Sequence, residues 1–103
     1  MLENLYTIIS STPTTVMVKF TSEDHPIFKA HFPKYPILPG FLQIDVISNI
    51  LDKQIKVINY AKFINHIYPN DTITYNIKNK DTYTLIKIFK DTKKISEVKY
   101  ESK

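Results

Sequence analysis

Four prolines lie within residues 22–39 and separate two differently patterned parts of the chain: Pro26, Pro33, Pro36 and Pro39. Proline has no backbone N–H and a fixed φ, so this density is unfavourable in a helix interior or in the middle of a sheet. We therefore predict a long, extended loop over Ser22–Pro39 without helix or strand. A loop of this length is usually either functional or disordered, and the aromatic residues of this one argue against disorder.

Two segments before the loop have the pattern of β-strands. Leu5–Ser10 and Thr14–Thr21 are rich in β-branched and aromatic residues, and apolar residues alternate with others along the second segment. Pro13 lies between them and indicates a turn. We expect two consecutive strands here.

The segment after the loop has the pattern of a largely buried helix. Phe41–Lys53 carries a wide apolar face that is interrupted by polar residues such as Asp45. It begins just past Gly40, which is the chain's one glycine. This predicts a helix of about three turns.

Beyond the helix, apolar residues recur at every second position, which is typical of strands. Turns are indicated at Pro69-Asn70-Asp71, at Lys80-Asp81 and over Lys90–Lys94. The predicted strands are Lys56–Tyr68, Thr72–Asn79, Tyr83–Phe89 and Ile95–Tyr100. One buried helix followed by an antiparallel meander predicts an α+β fold whose sheet wraps around the helix, in a single domain over residues 1–103.

Composition narrows the possible classes of function. The chain has no cysteine, which excludes disulfides and thiolate chemistry. Its net charge is +4 but it has no arginine, so specific recognition of nucleic acid is disfavoured. No apolar run is long enough to span a membrane and no signal peptide is evident, so we expect a cytoplasmic protein. The lysine excess is either an ordinary solvated surface or a docking face for an acidic partner.

A histidine, a glycine and a carboxylate follow one another in an order that suits proton transfer. His31 lies in the proline-rich loop, Gly40 opens the helix, and Asp45 lies little more than one turn inside it. Histidine titrates near neutrality and burial raises a carboxyl pKa, so such a pair can act as base and acid. Amides at a helix N-terminus can bind an oxygen that gains negative charge, and glycine allows a close approach.

Each of these residues also has an ordinary structural explanation. A loop histidine is commonly structural or exposed, an Asp on an apolar helix can face solvent, and Pro39-Gly40 can simply start the helix. We expect His25 to be a surface or loop-ordering residue, whereas the side on which His66 lies depends on strand register. The three histidines lack the spacing of a metal site, and we predict neither a metal nor a cofactor.

The flanking residues make this order specific. Residues 25–45 contain His31-Phe-Pro, then Pro-Ile-Leu-Pro-Gly, then Asp45, and they resemble the signature of the hotdog 3-hydroxyacyl-carrier-protein dehydratases. The acidic residue of that signature follows the histidine by fourteen positions, as here (45 − 31 = 14). A second segment, from Ala61-Lys62-Phe63 to Pro69-Asn70-Asp71, is similar to the family's Lys-Phe and Pro-Gly-Asp motifs, with Asn70 replacing glycine. The short chain resembles the compact dehydratases of polyene and other specialised acyl pathways.

The resemblance implies a hotdog fold and a role for each matching residue. His31 would remove the α-proton of a 3-hydroxyacyl thioester, and Asp45, from the other subunit of a dimer, would help the 3-hydroxyl leave as water. The Gly40 amide would polarise the thioester carbonyl. The acyl chain would contact four residues, which can instead be plain core: Phe32, Pro39, Phe41 and Phe63. The implied partners are an acyl carrier protein and further copies of this chain, in a homodimer or larger homo-oligomer.

Two other functions remain open on the same motifs. Hotdog thioesterases use a carboxylate to activate water, and Asp45 is suited to that role. A non-catalytic acyl-binding protein would retain the motif without turnover. The lysine excess fits docking of an acidic carrier protein to either a dehydratase or a binding protein, so it does not separate them.

Overall fold

In the computed structural model, which describes residues 2–30 and 34–103, six strands form one antiparallel sheet and two helices accompany it. The elements are β1 (Tyr6–Ser11), β2 (Thr15–Phe20), α1 (Pro26–Ala30), α2 (Gly40–Leu51), β3 (Ile55–Phe63), β4 (Thr72–Asn79), β5 (Thr84–Lys90) and β6 (Lys93–Ser102). The strand order is β1-β2-β4-β5-β6-β3. The predicted α+β architecture is confirmed, and β1 and β3 form the two edges of this sheet.

The alternating pattern of the strands positions the core. In β2, for example, Val16, Val18 and Phe20 are buried, whereas Lys19 between them is exposed. Successive side chains of a strand point to opposite faces, so each alternating run supplies one apolar face. β4, β5 and β6 contribute their buried residues to the same core cluster.

Helix α2 packs its apolar face against this sheet. Leu42, Val46 and Ile47 are buried in the common core, as the wide apolar face of the sequence predicts. The helix ends at Leu51 because Asp52 takes a left-handed conformation with φ of 50°, and its N–H bonds to the last carbonyls. No helix in the described part of the chain is both long and apolar enough to cross a membrane.

The prediction that the proline-rich segment lacks a helix is wrong, because residues 26–30 form the short helix α1. Pro26 occupies the first helical position, where a missing N–H costs nothing. His25 precedes it and accepts a hydrogen bond at Nδ1 from the Ile27 N–H (3.1 Å), while Nε2 lies 2.8 Å from the Glu3 carbonyl. The expectation that His25 orders the loop is confirmed.

The predicted strand Lys56–Tyr68 is too long, because β3 ends at Phe63. The N–H groups of Ile64 and Asn65 both bond to the Ile95 carbonyl, so the backbone turns away from the ladder. Alternation in the sequence continues beyond this point, which explains the error. Ile67 then forms an isolated bridge with Leu38 and ties the segment before α2 to the sheet.

The turn at Pro69-Asn70-Asp71 has the conformation that its sequence indicates. Asn70 adopts a positive φ of 69°, which asparagine tolerates better than most residues. The Asp71 side chain accepts hydrogen bonds from the Tyr68 N–H (2.9 Å) and from Nζ of Lys90 (2.7 Å). This carboxylate raises the pKa of Lys90 and fixes the turn to the end of β5.

Candidate active site

The N-terminus of α2 offers a backbone donor at Gly40. Pro39 precedes the helix with φ −59° and ψ 151° and provides no side-chain cap. Its carbonyl accepts hydrogen bonds from the N–H groups of Leu42 and Gln43, both at 3.0 Å. The first N–H of a helix has no acceptor within the helix, so the Gly40 amide needs a partner from elsewhere.

Gly40 and Phe63 lie together, although they are far apart in the sequence. A Cβ built on Gly40 would lie 2.9, 3.0 and 3.1 Å from three ring atoms of Phe63, so the ring would have to shift to make room for it. Gly40 does not have a positive φ. Glycine is therefore favoured here because an aromatic ring lies against its Cα, not because the backbone is left-handed.

Three residues of α2 form one exposed stripe. Phe41 is 63% exposed, and Asp45 and Asn49 are exposed as well. They follow one another at intervals of four, which places them on the same side of the helix. Asp45 thus faces outward in the single chain. This is the second of the two positions that the sequence left open, a buried carboxyl or one that faces solvent.

The remaining predicted residues have different positions. His31 and Phe32 lie outside the described residues, and their roles stay predictions. Pro39 is half-buried beside Gly40, whereas His66 is exposed and contacts the Tyr68 ring edge-on. Over residues 2–30 and 34–103, no group of three His, Asp or Glu side chains is arranged to hold a metal ion.

Gln43 is a site-supporting residue that the sequence did not single out. It is buried, and its Oε1 accepts a hydrogen bond from Oγ of Ser96 at 2.9 Å. This bond attaches the first turn of α2 to β6. Its position in the helix could have indicated that it is buried. Residue 43 lies three and four residues before the buried positions 46 and 47, which places all three on one side of the helix.

A second contact, which no sequence pattern predicts, joins β1 to α2. The hydroxyl of Tyr6 donates a hydrogen bond to Oδ1 of Asn49, one turn beyond Asp45. The pair is separated by 43 positions in the chain. Only the packing of the helix on the sheet brings them together.

Strand β3 presents an open edge beside the start of α2. It has β6 as its one neighbour in the described sheet. Its exposed apolar residues include Val57 (42%), Ile58 (45%) and Phe63 (46%). Unpaired strand edges with apolar side chains are suited to pairing with another chain.

Solved structures with the same architecture define the class of this fold. One is a chain of the dehydratase heterocomplex ApeI:P from Xenorhabdus doucetiae, with a TM-score of 0.75, 22% identity and coverage of 94% of this chain and 96% of that one. Another is thioesterase superfamily member 2 from Mus musculus, with a TM-score of 0.63, 18% identity and coverage of 98% and 83%. The chain therefore has a hotdog fold. One of these two structures is named a dehydratase and the other a thioesterase superfamily member.

Sequence comparison identifies the family. The model of the ApeI-like family, described as ApeI dehydratase, matches residues 9–102, and the chain belongs to this family. It is also 32% identical over 72 residues to the 3-hydroxyacyl-[acyl-carrier-protein] dehydratase FabZ of Ruminiclostridium cellulolyticum, covering 57% of this chain and 51% of that protein. The FabZ of Thermotoga neapolitana is 32% identical over 81 residues, covering 69% and 59%. The chain thus spans about half the length of the curated relatives it matches.

Proposed function

We propose that this chain is a 3-hydroxyacyl-[acyl-carrier-protein] dehydratase, which removes water from a 3-hydroxyacyl thioester to give the trans-2-enoyl thioester. The observation that carries the proposal is the match of the ApeI dehydratase family over residues 9–102, which includes the whole His31-to-Asp45 segment. Curated relatives named for this same reaction support it.

The proposed reaction uses three groups of the chain. His31 takes the α-proton, and the electron pair moves toward the thioester carbonyl, whose oxygen accepts a hydrogen bond from the Gly40 N–H. Asp45 gives its proton to the 3-hydroxyl as the C–O bond breaks, and water leaves. The position of Gly40 at the first residue of α2 supports the oxyanion role, and one such donor is typically worth about 3–4 kcal/mol of barrier.

A second copy of the chain would complete this site. Asp45 and Phe41 lie on an exposed face of α2, and β3 beside it has an open edge with exposed Val57 and Ile58. Pairing of β3 with β3 of another copy would bury these apolar groups and satisfy the edge. In such a dimer, Asp45 of one subunit would act on the same substrate molecule as His31 of the other.

The substrate would be delivered by an acyl carrier protein. Carrier proteins are acidic, and this chain carries 14 lysines against 10 acidic residues. Exposed Lys62 lies next to Phe63 on β3, whose ring lies against Gly40. Attraction between opposite charges would speed the encounter, and the rate would fall as salt increases.

The proposal is tested by incubating the purified chain with 3-hydroxyacyl-carrier proteins of several chain lengths. We expect enoyl thioester to appear without release of free thiol. Release of carrier-protein thiol would instead identify a thioesterase acting through Asp45. Saturable binding with no product at any chain length would show a non-catalytic acyl-binding protein, and either result rejects the dehydratase.

A further inference from the structure

The net positive charge of the chain is concentrated on the outer face of the sheet, which lies opposite α2. Alternation with the buried positions and strand register place eight charged side chains there: Lys19, Lys62, Lys78, Lys87, Lys94, Lys99, Glu97 and Glu101. Their net charge is +4 (6 − 2), which equals that of the whole chain. The other eight lysines and eight acidic residues cancel, so the positive excess belongs to this one face.

The two acidic residues of the outer face lie on β6, beside the edge strand β3, and both are hydrogen-bonded within the chain. Glu97 accepts hydrogen bonds from Nζ of Lys94 and from the hydroxyl of Tyr60. Glu101 accepts one from Nδ2 of Asn59 at 2.9 Å. The rest of the face is therefore basic or neutral.

Three lysines on the interior strands form a basic cluster, with Lys78 on β4, Lys87 on β5 and Lys99 on β6. In the described part of the chain, none of the three forms an ion pair with a carboxylate. Leu85 lies between two of them, because its register partners are Lys78 on one side and Lys99 on the other. Neighbouring strands are about 4.8 Å apart, so the three backbone positions lie within about 10 Å of one another.

Apolar and aromatic groups lie among the lysines of the basic cluster. Leu85 is half-buried at its centre, and the Tyr83 ring packs against Nζ of Lys99 at 4.2 Å. A depression of about 300 Å³ between β4 and β5 is lined by Lys78, Lys87, Leu85, Thr14, Asn76 and Ile77. Lysine beside leucine and tyrosine suits the boundary between water and lipid, because stems and rings enter the apolar region while the charges stay at the headgroups.

Two other kinds of acidic partner fit the basic cluster less well. The sheet separates the cluster from Gly40 on the inner face, so a carrier protein docked there would hold its thioester on the wrong side. The carrier contact proposed at Lys62 lies on the edge strand β3 instead. The chain has no arginine, on which bidentate contacts to nucleic-acid phosphates rely. A bilayer surface requires neither a path to the site nor a fixed donor geometry.

We propose that the outer face of the sheet is a docking surface for anionic lipid bilayers, with Lys78, Lys87 and Lys99 at its centre. The attachment is peripheral, through attraction to headgroups and shallow contact of Leu85 and Tyr83. The inner face, with Gly40, points away from the bilayer, where a soluble carrier protein can reach it. In the proposed β3–β3 dimer the two outer faces lie on the same side, which doubles the charge that faces the lipid.

Co-sedimentation of the full chain with lipid vesicles tests the proposal. One set of vesicles is phosphatidylcholine alone, and the other contains equal parts of phosphatidylcholine and phosphatidylglycerol. We expect binding to the anionic set only, with a bound fraction that falls as salt is raised, because salt screens exposed charges. The triple variant Lys78→Gln/Lys87→Gln/Lys99→Gln should lower the partition coefficient at least about 10-fold, since each lysine near the surface adds to the attraction.

The matched control is Lys29→Gln/Lys34→Gln/Lys53→Gln. These three lysines are exposed and lie outside the sheet, in α1, in the segment before α2 and just after α2. Both triple variants have the same net charge of +1 (4 − 3), so they differ in where the charge is removed. The control should bind the anionic vesicles nearly as the parent protein does. Thermal unfolding checks that both variants are folded.

Three outcomes would overturn the proposal. The first is that the parent protein does not bind anionic vesicles at low salt. The second is an equal loss of binding in the two triple variants, which would show attraction by net charge alone. The third is an outer-face variant that binds vesicles normally but has a raised KM for the carrier-bound substrate, which would assign the cluster to the carrier protein. Vesicle binding requires no turnover, so its result is independent of whether the chain is a dehydratase.

Discussion

At the scale of single residues, the contact between Gly40 and Phe63 brings together the two segments that carry the sequence motifs, residues 25–45 and 61–71. The aromatic ring lies 2.9–3.1 Å from the place a Cβ would take, so the glycine allows the end of β3 to cover the start of α2. The same amide is the proposed donor to the thioester carbonyl. Packing and the proposed catalysis therefore both favour glycine at position 40.

Gly40→Ala is expected to lower turnover strongly and stability little. The added methyl must displace the Phe63 ring, which is 46% exposed and has room to move, so the free energy of unfolding should change by less than about 1 kcal/mol. The displaced ring and the methyl together obstruct the Gly40 N–H. Turnover assays and thermal unfolding measure the two effects.

The double variant Gly40→Ala/Phe63→Ala identifies the cause. If Gly40→Ala lowers turnover less in the Phe63→Ala background than in the parent protein, the displaced ring is the cause of the loss. Full activity of Gly40→Ala would contradict the proposed role of this amide.

The buried pair Gln43 and Ser96 predicts a coupled effect on stability. Gln43→Met or Ser96→Ala leaves the other group buried without its partner, which costs about 1–3 kcal/mol of unfolding free energy. The double variant should lose less than the sum of the two, because no unpaired group remains. Urea unfolding of all four proteins measures the coupling, and strictly additive losses would show that the bond contributes nothing.

At the scale of elements, a charged cluster around Glu97 of β6 reinforces the backbone ladder that attaches β3 to the sheet. Its carboxylate accepts hydrogen bonds from Nζ of Lys94 and from the hydroxyl of Tyr60 on β3, each at 2.5 Å. These two donors, Lys94 first, lower the pKa of Glu97 to about 2 from the usual 4.5. The cluster thus holds the edge strand in place in its charged form.

Acid is therefore expected to weaken this attachment. A carboxyl whose pKa is lowered by folding stabilises the folded state above its unfolded pKa and loses that contribution as the pH falls from about 4.5 toward 2. The stability of the parent protein should fall more steeply over this window than that of Glu97→Gln. Chemical unfolding across the pH range checks this, and parallel curves for the two proteins would contradict it.

Sequence patterns predicted the elements better than the contacts between them. Alternation and the 3.6-residue period identified the strands of the sheet and α2, because both depend on local burial. The helix α1 was missed because Pro26 begins it, and the end of β3 was misplaced because alternation outlasts the ladder. Within the candidate site, Gly40 and Asp45 were predictable since they share one helix, whereas the Tyr6–Asn49 contact depends on how α2 crosses the sheet.

At the scale of the whole molecule, the proposed assembly depends on which sheet edge is used. Both β1 and β3 are edges and both expose isoleucine, with Ile9 54% and Ile58 45% exposed. The β3 edge lies beside Gly40, through Phe63. The same substitution can therefore be made on each edge, at Ile58 of β3 as the test and at Ile9 of β1 as its control.

Ile58→Glu is expected to convert the proposed dimer to monomer and to abolish turnover, because a charge would be buried at the proposed subunit boundary. Ile9→Glu, on the opposite edge, should change neither property. Sedimentation or light scattering gives the mass, and the turnover assay gives the activity. A monomeric parent protein, or an active Ile58→Glu monomer, would rule out the assembly proposed through β3.

The central claim is that His31 of one subunit and Asp45 of another act on the same substrate. His31→Ala and Asp45→Asn should each be folded and inactive. Refolding the two variants together in equal amounts should restore about one quarter of the parent activity, since half of the dimers are mixed and each mixed dimer has one intact site. No recovery from well-formed mixed dimers would contradict the account, because it would mean that both groups must come from the same chain.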